Sequence, residues 1–370
     1  MPVIFSSGVA FVVHSCRTGS QSRRIDDFVK EVVRIKYSRA WYRLTYVLAI
    51  LTLIGLFAVN IVGFVDTETG SALGCGHDWP LCNGTVIPHV WGIKTLIEFS
   101  HRALVGVVTV LLLLTSGLAW RLYRFWPEVK ATIAIAVGFV FVQAALGALG
   151  VIYGDPAWFL AFHFGFSLLA FVGVLLLVVV LGQIGRSIQR IDARDDEVTV
   201  IPLRRPVPKG RFTRGVWFTL IYMYVAMYFG AFVSSTGDGS GFRGWPFPTE
   251  VHSGSVFAVD IVHRAVAVGL GVLVVYLFVL ATLMRKEHFD LFVGSSLALV
   301  FVVLVAFSGA ALIWTNHAAL WAFLLHVSLI TGLFGTLSYL GLQVIPPSRL
   351  SPRFIKGAQR LRASDVGSEM

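Results

Sequence analysis

The chain has 370 residues, of which 56% are hydrophobic and only 14% charged, and its mean hydropathy is +0.78. A soluble domain with a single core does not carry that much apolar surface, so the composition excludes it and points to a polytopic membrane protein. The net charge of +10 suits anionic lipid headgroups rather than nucleic acid, because the basic residues flank apolar runs and no recognition module is evident.

Crossing a bilayer takes roughly 20 predominantly apolar residues. Eight stretches reach that length, at 43–65, 98–120, 131–153, 158–182, 215–236, 259–284, 291–313 and 319–344. With the N-terminus in the cytoplasm, 26 of the 30 lysines and arginines fall in 1–43, 121–130, 185–214, 285–290 and 345–370. The positive-inside rule therefore predicts a multi-pass protein of the cell (plasma) membrane with both termini cytoplasmic. The four exceptions are Lys94 and Arg243 in outer loops, and Arg102 and Arg264 in a repeated motif.

Residues 1–42 open with the apolar run Val9 to Val13, too short to span, with no signal-peptide cleavage pattern behind it. They read as a cytoplasmic extension, and Cys16 within it has no partner on its side of the membrane. The first span leads outward into Thr69-Gly70-Ser71 and then Gly74-Cys75-Gly76-His77-Asp78-Trp79-Pro80-Leu81-Cys82-Asn83-Gly84. Two cysteines seven positions apart in an extracytoplasmic loop suit a disulfide or dithiol couple, serving either as a structural staple or as a redox-active pair. Zinc is a weaker reading, since Cys75, Cys82 and His77 lack a fourth ligand and a common spacing.

The second span begins with Glu98-Phe99-Ser100-His101-Arg102, which places the Glu98 carboxylate and the His101 imidazole on one helical face. The third ends in Gln143-Ala144-Ala145-Leu146-Gly147-Ala148-Leu149-Gly150, small residues that permit close packing. The fourth brings His163 to the same outer level. Residues 185–214 form a polar cytoplasmic linker, after which the pattern repeats. Gly230-Ala231-Phe232-Val233 echoes Val62-Gly63-Phe64-Val65, Thr236-Gly237 echoes Thr69-Gly70, and Trp245-Pro246 echoes Trp79-Pro80. Asp260-Ile261-Val262-His263-Arg264 returns the motif 162 residues on, and His326 follows His263 at 63 residues as His163 follows His101 at 62. The predicted fold is an all-α integral membrane protein whose eight transmembrane helices form two pseudo-symmetric four-helix bundles, 43–184 and 215–344, with a cytoplasmic tail at 345–370.

Ionisable side chains inside membrane spans are costly and point to function. Two histidine pairs flanked by large apolar residues suit bis-histidine haem iron, with copper as an alternative. The halves also differ, since loop 237–256 has no cysteine and Asp260 stands where the first half has Glu98. The first half is thus the better candidate for chemistry.

Taken together, Thr69-Gly70-Ser71, the loop through Cys75 and Cys82, Glu98 with His101-Arg102, His163, His263-Arg264 and His326 resemble the heme A synthase family, membrane enzymes of cytochrome oxidase biogenesis. The resemblance covers about residues 43–344. It implies oxidation of a ring methyl of heme O to a formyl group through a hydroxymethyl intermediate. By position it makes Glu98, His101 and His163 the catalytic and substrate site, and His263 and His326 the axial ligands of a permanent heme b. Cys75 and Cys82 match the family's outer-loop pair; some members have a second pair in the C-terminal half, and this chain has none. Arg102 and Arg264 are candidates for pairing with haem propionates. Heme O synthase and oxidase assembly factors are the partners the resemblance implies. Two other readings are a cytochrome b-type quinone oxidoreductase and a non-catalytic haem carrier.

Overall fold

Each of the eight apolar runs is a helix in the computed structural model, which describes residues 39–124, 126–154, 156–192, 203–236, 244–247, 255–316 and 318–347. The helices are α1 Arg39–Glu68, α2 Ile93–Tyr123, α3 Pro127–Tyr153, α4 Ala157–Asp192, α5 Arg211–Thr236, α6 Ser255–Met284, α7 Phe289–Trp314 and α8 Leu320–Val344. All are long and apolar enough to cross a membrane. Among the described residues no strand forms, only an isolated bridge between Cys82 and Thr85. Tyr42–Ser351 make up one compact unit. Cys16, most of the N-terminal extension and most of the C-terminal tail lie outside the described residues.

Most of the helices outrun the predicted spans, and α4 continues to Asp192 through the stretch read as the start of the linker. Hydropathy registers only the part of a helix that sits in hydrocarbon, whereas backbone bonding carries on into polar flanks. Local chemistry sets several ends. Pro127 occupies the first turn of α3 behind Trp126, with Glu128 beside it, where a missing N–H costs nothing and a negative charge faces the helix dipole. Thr69-Gly70-Ser71 stops α1. There the Thr69 hydroxyl donates to the Val65 carbonyl at 2.7 Å, the Ser71 amide donates to Asp66 at 2.8 Å, and Gly70 reverses the chain at φ 59°.

Leu44, Val47, Leu51 and Ile54 on α1, and Val268, Val272, Val275 and Val279 on α6, are exposed at helical spacing. Such stripes belong against lipid tails, where every backbone group is already satisfied inside the helix. The last helix of each half, α4 and α8, is the most buried, and the halves meet where α5 and α8 pack against α4 and each other. Tyr224 stacks on Phe334 with centroids 5.8 Å apart, and a side chain at Gly335 would come within 2.8 Å of Leu175.

A buried polar cluster joins the linker to both halves. Arg204 donates to Glu128 at 3.3 Å, to Gln183 at 3.5 Å and to the Ile345 carbonyl at 3.1 Å, while Gln183 donates to Gln343 at 3.4 Å. Burial pushes the Arg204 guanidinium below its ordinary value, against the pull of Glu128. An arginine counted in the sequence only as a topological charge is thus a tie between α3, α4 and the end of α8.

Candidate functional site

The loop after α1 is drawn onto the start of α2 by a glycine. A Cβ on Gly74 would sit 2.7 Å from the Thr95 amide nitrogen, and the freed space lets the Thr95 hydroxyl donate to the Gly74 carbonyl at 2.9 Å. That contact sets Cys75 above Glu98. Cys75 and Cys82 form a disulfide, so neither thiolate is available to zinc. The Cys75 amide donates to Glu98 Oε2 at 2.6 Å, and Arg102, one turn on, pairs with Glu98 Oε1. Arg102 Nη1 also donates to the carbonyls of Asp78 at 3.2 Å and Leu81 at 2.6 Å. His77 Nδ1 reaches the Val151 carbonyl at 2.6 Å, carrying the loop across to the end of α3. Glu98 is only 2% exposed, and two donors fix its carboxylate.

The second half repeats the clamp without the thiols. Arg264 Nε lies 2.8 Å from Asp260 Oδ2, and Arg264 Nη1 donates to Gly244 at 2.8 Å and Pro246 at 3.0 Å. Arg102 and Arg264 therefore each hold an acid and the loop around a Trp-Pro pair. These loop bonds came from no sequence signal beyond the repeated Trp-Pro.

All four histidines project from α2, α4, α6 and α8 onto a glycine of another helix. A Cβ on Gly63 would lie 2.9 Å from His101 Cε1, on Gly230 3.1 Å from His263 Cε1, on Gly147 3.6 Å from His163 Cε1, and on Gly309 3.7 Å from His326 Cε1. The glycines are cradles that keep each imidazole edge against the backbone and leave the rest of the ring for a ligand. This contact also corrects the register of the echo read in the sequence. Gly63 corresponds to Gly230 rather than to Ala231, because packing against histidine, not the neighbouring Phe and Val, defines equivalence.

His326 Nδ1 meets the Ser308 hydroxyl at 2.8 Å, a contact that orients the ring. The His101 and His263 Nδ1 atoms are buried with no hydrogen-bond partner among the described residues. No group of three or more His, Cys, Asp or Glu side chains among those residues is placed to hold a metal ion. Two imidazoles per half suit a metal that brings its own equatorial ligands, as a haem does, better than copper.

Fold and site together define a polytopic membrane protein with a glycine-cradled histidine pair in each half. The chain belongs to the cytochrome oxidase assembly protein family, which it matches over residues 46–338. It is 34% identical over 299 residues to the heme A synthase of Shouchella clausii, covering 79% of this chain and 94% of that protein. It is 32% identical over 295 residues to the heme A synthase of Staphylococcus saprophyticus, covering 79% and 93%. With the heme A synthase of Staphylococcus aureus it shares 34% over 284 residues, 76% of this chain and 89% of that protein.

Proposed function

We propose that this protein is a heme A synthase that oxidises the ring methyl of heme O to a formyl group, through a hydroxymethyl intermediate, for cytochrome oxidase assembly. The observation that carries this reading is the Glu98 clamp beside the His101 and His163 pair, in a chain similar along most of its length to proteins of that name.

The substrate haem would lie in the N-terminal half with His101 and His163 toward its iron. Glu98 stands three residues from His101 on the same helical face. With the Cys75 amide and Arg102 on its two oxygens, it offers a fixed negative charge rather than a mobile base. In a dry site such a charge stabilises positive charge developing at the oxidised methyl carbon. The disulfide loop covers Glu98, which is buried, and would keep water from its carboxylate. Arg102 and Arg264 are already engaged with acids and loop carbonyls, which supports an anchoring role over pairing with haem propionates.

The residues of the C-terminal half fit heme b: His263 and His326 sit in the same cradles, Ser308 orients His326, and His263 Nδ1 keeps no protein partner among the described residues. Heme b bound there would supply one-electron transfer. The distribution of lysines and arginines supports a topology with both termini cytoplasmic and the haem sites toward the outer face. Heme O, heme O synthase and oxidase assembly factors are the partners this role requires.

The test is conversion of heme O by the purified protein, followed by haem chromatography. Wild type should yield heme A. A Glu98→Gln variant should retain heme O or the hydroxylated intermediate. Two permanent haems and no conversion in either protein would favour the quinone oxidoreductase, and intact haem handling in the variant would favour the carrier.

A further inference from the structure

The glycine cradles put the two halves in register: Gly63 with Gly230, Gly147 with Gly309 and His163 with His326. One turn beyond this level, away from the disulfide loop, the halves differ. The first half has Asn60 on α1, Gln143 on α3 and Ser167 on α4, where the second has Met227, Val305 and Ile330. Asn60 is three residues before Gly63, Gln143 four before Gly147 and Ser167 four after His163. Each therefore lies about 4.5–6 Å along its helix from the imidazole level. Glu98 is three residues from His101 in the opposite direction. A flat ligand held between His101 and His163 has one edge toward Glu98 and the other toward this polar floor.

The floor is incomplete by itself. Ser167 Oγ donates to Asn60 Oδ1, but Asn60 Nδ2 and Gln143 Oε1 are buried with no hydrogen-bond partner among the described residues. Unmet polar groups are costly in a hydrocarbon setting. One of these atoms is a donor and the other an acceptor, and an aliphatic hydroxyl is a small group able to satisfy both. Resting on the substrate reading above, we propose that Asn60, Gln143 and Ser167 read the hydroxyl that heme O carries where its isoprenoid chain joins the ring, and so select heme O for the first half. Heme b has no such hydroxyl and suits the apolar floor of Met227, Val305 and Ile330. The hydroxyl made during the reaction arises at a different ring substituent, the methyl assigned to Glu98.

The test uses the full chain purified from cells that make no heme O. It is titrated by Soret absorbance with heme O, with heme b and with the dehydrated form of heme O, which keeps the chain and lacks the hydroxyl. Wild type should prefer heme O to its dehydrated form by roughly tenfold, the size expected of one or two hydrogen bonds. The triple variant Asn60→Met, Gln143→Val and Ser167→Ile, which installs the residues of the other half, should lose that preference. It should keep its affinity for the dehydrated form and its resident heme b spectrum. Ser167→Thr should retain the preference. A preference that persists in the triple variant overturns the proposal, as does equal loss of both ligands, which would mark a packing role. Altered retention of the hydroxymethyl intermediate with unchanged heme O affinity would also overturn it, by moving the contact to the Glu98 edge. Wild-type protein that converts heme O without any hydroxyl preference defeats this inference alone, whereas wild type that neither binds nor converts heme O defeats the parent reading.

Discussion

In the N-terminal half a buried glutamate is bonded to an arginine one turn on and to the backbone of a disulfide-closed loop. In the C-terminal half Asp260 and Arg264 repeat the ion pair and the grip on the Trp-Pro segment, and the sequence of that loop has no cysteine. Histidines and cradling glycines are shared, yet the residues one turn deeper are polar in one half and apolar in the other. The two halves share the histidines and the glycines they pack on, and differ in the residues on either side of them. On the reading proposed above, the difference would separate a site that does chemistry from one that holds a cofactor.

The largest effect expected from breaking this asymmetry is at the two acids. Glu98→Gln should lower the rate of heme A formation by about 100- to 1,000-fold, the range seen when a preorganised electrostatic group is removed. Asp260→Asn should lower it by less than about tenfold, since on the proposed reading no reacting carbon lies beside it and its role is to hold Arg264. Single-turnover assays on the two variants compare them directly, and equal losses would erase the proposed division.

Arg204→Met should cost about 3 kcal/mol of stability by removing the buried guanidinium that Glu128, Gln183 and the Ile345 carbonyl share. Because the cluster ties both halves, resident and substrate haem should be lost together on heating, as followed by absorbance. A Cys75→Ser, Cys82→Ser variant should lose about 2–3 kcal/mol, from the closure entropy of a short loop. Its damage should concentrate in the first half, with slower heme A formation and unchanged heme b absorbance.

The smallest effects sharpen the cradle comparison. Gly63→Ala puts a methyl 2.9 Å from His101 Cε1, while Gly147→Ala puts one 3.6 Å from His163 Cε1. The first should shift the substrate haem spectrum and weaken binding several-fold. The second should change affinity by less than about twofold.

Eight spans and two histidine pairs were legible in the sequence because hydrocarbon imposes length and apolarity, and because ionisable residues stand out against it. The cysteine pair was legible as a pair, though its bond to Glu98 through the Cys75 amide was not. Close approach depends on tertiary register, which spacing along one helix does not carry. The same limit hid the cradles: Gly63 and Gly230 looked like ordinary small residues and were paired one position out of step. Arg204 was read as a charge beside a span end, since nothing local marks it as buried against Glu128 and Gln183. The polar floor of Asn60, Gln143 and Ser167 becomes visible only once the two halves are laid over each other by their histidine contacts.

The division of labour is tested most directly by extracting and chromatographing the haems of His163→Ala and His326→Ala proteins, made in cells that supply heme O, beside wild type. The expected result is heme b with no bound heme O or heme A in His163→Ala, and loss of heme b in His326→Ala. The same haem lost from both variants, or heme b lost from His163→Ala alone, would contradict the assignment of substrate to the first half and cofactor to the second.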